Sequence, residues 1–168
     1  MKKRIFVTVA IICFLFLMYN IVWGINCYQY RKYEKKVGYD EQRQSYVIEK
    51  DGYLFSVFRP DYLSFTGNLA INKRIIYGDK QEYNYIDMLI WPTLTGKFTV
   101  GIMIKHETTS QSETSMQVKG DSVDLEFDEK GALVPECAHL EKDYLEHKDE
   151  IEKLYSMAEE MWGIKLPH

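Results

Sequence analysis

The chain has 168 residues, 46% hydrophobic and 14% aromatic with 13 tyrosines, and a formal net charge of −4. The charge is divided: residues 1–36 carry seven Lys/Arg against Glu34 alone, whereas residues 37–168 carry 14 Lys/Arg against 24 Asp/Glu. An acidic domain argues against nucleic acid as a partner, because neutralising phosphates supplies most of that affinity. The three cysteines, at 13, 27 and 137, form no even-numbered disulfide framework.

Ile5 to Ile25 is a run of 21 residues without a charge, preceded by Lys2, Lys3 and Arg4. At about 1.5 Å per residue a helix of that length crosses a hydrocarbon core of about 30 Å. A cleaved signal peptide has a shorter apolar core and ends in small residues. This run ends in bulky ones, so residues 1–25 are expected to be a retained transmembrane signal anchor, meeting the lipid bilayer through residues 5–25. Tyr19, Trp23, Tyr28 and Tyr30 suit the far interface. The flanking Lys/Arg counts are three before and four after, nearly neutral for the positive-inside rule. The short basic start favours the N-terminus inside. The expected location is the cell membrane, single-pass, with the soluble domain on the extracytoplasmic side. Lipidation of Cys27 is disfavoured by Gly24-Ile25-Asn26, a poor lipobox, and a Cys27–Cys137 bridge stays open.

Residues 26–44 are polar, basic and rich in Tyr, and read as a stalk before a domain over 45–168. Strands are expected over Tyr46–Lys50 and Tyr53–Arg59 about an Asp51-Gly52 hairpin turn. An extended Phe65–Tyr77 with a bulge or turn at Gly67-Asn68 follows, then a turn at Gly78-Asp79-Lys80. Tyr83–Trp91 is an apolar strand, turned at Thr95-Gly96 into Phe98–His106. The latter alternates, with Phe98, Val100, Ile102 and Ile104 on one side. Thr108–Ser115 is expected to be a loop, and Ser115–Lys119 and Ser122–Phe127 a pair about Gly120-Asp121. Ala132–Val134 follows a turn at 128–131. One helix is expected from Glu136 to Trp162, with Pro135 in its first turn and Gly163 as its cap. Its apolar stripe runs Leu140, Tyr144, His147, Ile151, Leu154, Ala158 and Met161. The fold class is therefore α+β: an antiparallel sheet with a C-terminal helix packed on one face, preceded by one transmembrane helix.

No spacing of residues marks a catalytic, cofactor or metal site, and neither cofactor nor catalysis is expected. Glu136, Cys137, His139, Asp143 and His147 hold ligand-type atoms without a C-x-x-C or H-E-x-x-H spacing. His106-Glu107 could supply a base, but no nucleophile accompanies it. The open sheet face is the better candidate. Strand alternation puts Thr99, Met103 and Lys105 there, with Asp124 and Glu126, and with Tyr85, Asp87 and Trp91 if their parity matches. These eight form the candidate partner-binding surface.

Three stretches, YLSFTGNLAI at 62–71, MLIWPTLTGKFTVGIMI at 88–104, and FDEKGALVP from Phe127 with the later DEIEKLYSMAEEMWGI, together resemble the TipC-type immunity proteins of Gram-positive bacteria. The resemblance implies a membrane-anchored protein on the outer side of the membrane. Such a protein binds and neutralises a type VII-secreted LXG toxin that attacks the lipid-linked cell-wall precursor, without catalysis. An accessory envelope module that binds a wall polymer or a membrane complex, and a membrane-anchored enzyme, are the alternatives from other classes.

Overall fold

The computed structural model describes residues 2–63, 65–76, 82–93, 96–111 and 116–167. It begins with α1 (Lys2–Val37), an unbroken helix of 36 residues. The apolar run forms its first part, is exposed except at half-buried Tyr19, Asn20 and Trp23, and is long and apolar enough to cross a membrane.

The stretch expected to be a stalk is structured. Helix α1 continues through residues 26–37, and β1 (Tyr39–Asp40) follows. Asn26, Tyr30, Tyr33 and Val37 recur every three or four residues, so they fall on one side of the helix and are buried. Burial pushes the Tyr30 phenol above its ordinary pKa. Glu34, also buried, is held by Arg59 through Nε–Oε1 and through Nη2–Oε2 at 2.7 Å. That bonding raises the guanidinium pKa further, and the same guanidinium lies over the Tyr46 ring. The polar, basic composition of 26–37 describes the exposed side of a helix whose other side is core.

Seven strands follow in a simple meander, each antiparallel to the next: β1, β2 (Ser45–Lys50), β3 (Tyr53–Phe58), β4 (Asn68–Lys73), β5 (Glu82–Pro92), β6 (Phe98–Gln111) and β7 (Met116–Phe127). Asp51 and Gly52 turn the β2–β3 hairpin with φ of 53° and 79°, the left-handed pair that a two-residue turn requires. Strand β4 is shorter than the expected 65–77, with Phe65 at φ 57° before it. The turn expected at 78–80 lies outside the described residues; of that expected at Thr95-Gly96, Gly96 is described, with φ 80° and its N–H donating to the Thr93 carbonyl at 3.0 Å.

No turn occurs at Gly120-Asp121. Both pair in register with Glu107 and His106, and β7 runs straight through. A Cβ at position 120 would stand 2.8 Å from Glu107 Cγ and from the His106 carbonyl, so this glycine serves a close approach of strands rather than a reversal. Thr108–Gln111, expected in a loop, belong to β6, while residues 112–115 lie outside the described part. Of the short strand expected at 132–134, a single bridge from Leu133 to Phe127 remains.

The C-terminal segment is three pieces rather than one helix: a 3-10 turn (Pro135–Leu140), α2 (Glu141–Glu146) and α3 (Lys148–Trp162). The break falls at His147, whose φ and ψ are −110° and 11° and whose N–H reaches back to Asp143 and Tyr144. Asp149 and Glu150 in the first turn of α3 complement its dipole. The break lets the chain follow β7 and then turn across the sheet.

Ile151, Leu154, Tyr155, Ala158 and Trp162 of α3 are buried on one face of the sheet, against Phe55, Leu69, Ile71, Met88, Ile102 and their neighbours. Tyr30, Tyr33 and Val37 of α1 join the same cluster. The architecture is α+β, an antiparallel sheet with C-terminal helices, preceded by one N-terminal apolar helix.

Candidate binding face

Cross-strand partners in an antiparallel sheet point to the same side. Tyr85 pairs with Lys105, Asp87 with Met103, Leu89 with Gly101 and Trp91 with Thr99. Met103 and Gly101 in turn pair with Asp124 and Glu126. All eight residues singled out from the sequence therefore lie on one face. Val100, Ile102, Ile104, Ile86, Met88 and Ile90 supply the opposite, helix-covered face, each no more than 1% exposed.

The eight divide by burial. Asp124 and Glu126 are exposed on β7, and neither has an ion-pair partner among the described residues. Trp91, Thr99 and Met103 are half-buried. Gly101 lacks the Cβ that would stand 2.9 Å from Cη2 and Cζ3 of Trp91, so the indole can lie across β6. A shallow cavity of about 210 Å³ results, bordered by Leu89, Trp91, Met103, Asp124 and Glu126.

Tyr85 and Asp87 are buried, 7% and 4% exposed. Asp87 accepts the Lys73 backbone N–H at 3.0 Å and the Lys105 ammonium at 2.7 Å. Lys105 also lies over the Tyr85 ring, and the Tyr85 hydroxyl donates to Glu107 at 2.5 Å. An unpaired carboxylate would be costly here, so the pair answers why an aspartate stands in an apolar run. These groups offer a partner little surface. They set the floor of the face rather than its contact points.

The other candidate chemistry does not converge. Among the described residues no group of three or more His, Cys, Asp or Glu could hold a metal ion. The break at His147 removes the single helix face that residues 139, 143 and 147 were expected to share. Glu107 is bonded to Tyr85, and His106 Nδ1 lies 2.9 Å from Asn84 Oδ1. Ser110 lies on β6, and Ser112 and Ser115 fall outside the described residues.

A feature absent from the sequence reading lies where α1 meets the domain. The turn between β3 and β4 is fastened to the helix. Trp23 Nε1 donates to the Pro60 carbonyl at 3.3 Å, Asn26 Nδ2 to the Phe65 carbonyl at 2.8 Å, and Tyr19 to the Tyr62 carbonyl. Higher on α1, a cavity of about 830 Å³ is bordered by Arg31, Lys32, Lys35 and Lys36 together with Pro92 and Phe98. The spacing of Tyr19, Trp23 and Asn26 along one side of α1 was the available signal, but Tyr19 and Trp23 also suit a membrane interface, which accounts for them without a protein partner.

No protein-family model, curated protein or solved structure matches this chain.

Proposed function

We propose that the chain is a single-pass membrane protein whose α+β domain, on the extracytoplasmic side, binds a protein partner through the open sheet face. Its action would be that of the TipC-type immunity proteins it resembles: capture of a secreted LXG toxin, with no reaction catalysed. The observation that carries this reading is the helix-free face itself. It combines a half-buried tryptophan beside a shallow cavity with two exposed carboxylates that have no ion-pair partner among the described residues. Aromatic anchors beside charges are what tight protein interfaces concentrate, and unpaired acids favour a partner with a basic patch.

The test is binding of the full chain, in mild detergent, to a cognate LXG toxin. Trp91→Ala should weaken binding by about 2 kcal/mol or more, roughly thirtyfold. Asp124→Lys together with Glu126→Lys should slow association and reduce its salt dependence. Wild-type affinity in all of these folded variants would remove the face from consideration. For the topology, protease added to intact protoplasts should remove the domain, and full protection would reverse the orientation.

A further inference from the structure

We infer that the turn carrying Tyr62, Leu63 and Phe65 is a second membrane contact, inserting into the bilayer interface alongside α1. The inference rests on the reading that α1 spans the bilayer, and it holds for either orientation.

The argument begins with depth. Ile5 and Tyr19 are separated by about 21 Å of helix, and a hydrocarbon core is about 30 Å thick. Lys2, Lys3 and Arg4 resist entry into that core, so they hold the start of the apolar run at one boundary. Tyr19 then falls short of the other boundary by several ångströms, and Trp23 falls near it. What is fastened to these two residues shares their depth.

The turn is fastened to them closely. Besides the bonds from Tyr19, Trp23 and Asn26, the Tyr62 hydroxyl donates to Asn20 Oδ1 at 3.0 Å. The Tyr19 ring meets Tyr62 and Phe65 edge-on at centroid distances of 5.2 and 4.6 Å, and Trp23 meets Tyr62 at 5.2 Å. Helix α1 is unbroken from Lys2 to Val37, so no linker lets the domain rise away from the membrane.

The turn is also made of the right residues. Leu63 is 85% exposed, the most exposed large apolar side chain among the described residues, and Tyr62 is 37% exposed. Tyrosine and tryptophan side chains collect at the headgroup level of bilayers, where an apolar ring and a polar tip are both satisfied. The one acid of the turn, Asp61, accepts the Leu63 N–H at 2.6 Å, and the cost of burying its charge in hydrocarbon limits the depth of insertion. Further along α1, exposed Arg31, Lys32, Lys35 and Lys36 lie on the water side of the headgroup layer, where their charge is attracted to anionic lipid. Two contacts, helix and turn, would hold the domain at one height and one angle, and so aim the binding face.

The full chain, with Cys13, Cys27 and Cys137 replaced by serine, would carry one nitroxide-labelled cysteine at a time: Ile12→Cys, Leu63→Cys or Lys119→Cys. Reconstituted in phosphatidylcholine–phosphatidylglycerol vesicles, each label reports its collisions with oxygen and with a water-soluble nickel chelate. Position 12 lies in the apolar run, and Lys119 is exposed at the opposite end of the sheet. Labels at 12 and 63 should both favour oxygen over nickel several-fold more than the label at 119. A lipid-like signal at 12 with a water-like signal at 63 overturns the second contact and leaves the spanning helix standing. A water-like signal at 12 overturns the spanning reading, and the second contact falls with it.

Discussion

Asp87 and Lys105 are joined across β5 and β6, with Oδ2 accepting from Nζ at 2.7 Å and only 5% of the aspartate side chain exposed. Removing one partner of a buried pair leaves the other charge unsatisfied. Asp87→Asn should therefore cost about 3 kcal/mol of stability. Asp87→Lys, which sets two cations together, should prevent folding. Denaturant unfolding of the full chain in mild detergent checks both. A charge reversal at Asp87 is thus not the clean test of partner binding that its place in the sequence implied.

Gly101 and Trp91 make a second prediction. Gly101→Ala puts a methyl group against the indole at 2.9 Å. The indole must move, at a cost of about 1–3 kcal/mol, and the cavity beside it changes shape. Tryptophan fluorescence should shift while the far-UV circular dichroism stays as in the wild type. Partner binding should fall together with the fluorescence change.

The seat of α3 is tested at Leu154, which is 0% exposed within the main cluster. Leu154→Ala should destabilise by about 2–5 kcal/mol through lost burial and a residual cavity. A cost near that of a surface substitution, below about 0.5 kcal/mol, would mean that the helix does not dock on the sheet.

The extent of the folded unit is tested by truncation. Tyr30, Tyr33 and Val37 each bury an apolar side chain worth about 1.5–3 kcal/mol. Their joint loss approaches the whole stability of an ordinary domain, about 5–15 kcal/mol. A fragment starting at residue 45 should lack near-UV dichroism and aggregate. A fragment starting at residue 26 keeps that side of the helix and should give dispersed amide resonances.

Whatever depends on neighbours a few residues apart is legible along the chain. The uncharged run at 5–25 sets a helix long enough to cross a bilayer. The period-two alternation in 98–106 separates Val100, Ile102 and Ile104 from Thr99, Met103 and Lys105, and the same alternation sets Asp124 and Glu126 outward on 122–127; the pairing of β5 with β6 is what puts Tyr85, Asp87 and Trp91 on the same face. Asp51-Gly52 turns a hairpin because both residues tolerate positive φ. The tertiary structure decided what depends on distant partners. Gly120-Asp121 carries a turn signal, but pairing with Glu107 and His106 of β6 overrides it. Residues 26–37 look like a basic stalk until the sheet supplies the surface that buries Tyr30, Tyr33 and Val37. Asp87, a carboxylate in an apolar run, must either find a partner or lie on the open face, and the fold does both: it sits on that face with Lys105 and the Lys73 backbone, 18 and 14 positions away, closed over it. Local periodicity states which way a side chain points, and only the packed chain states what it meets there.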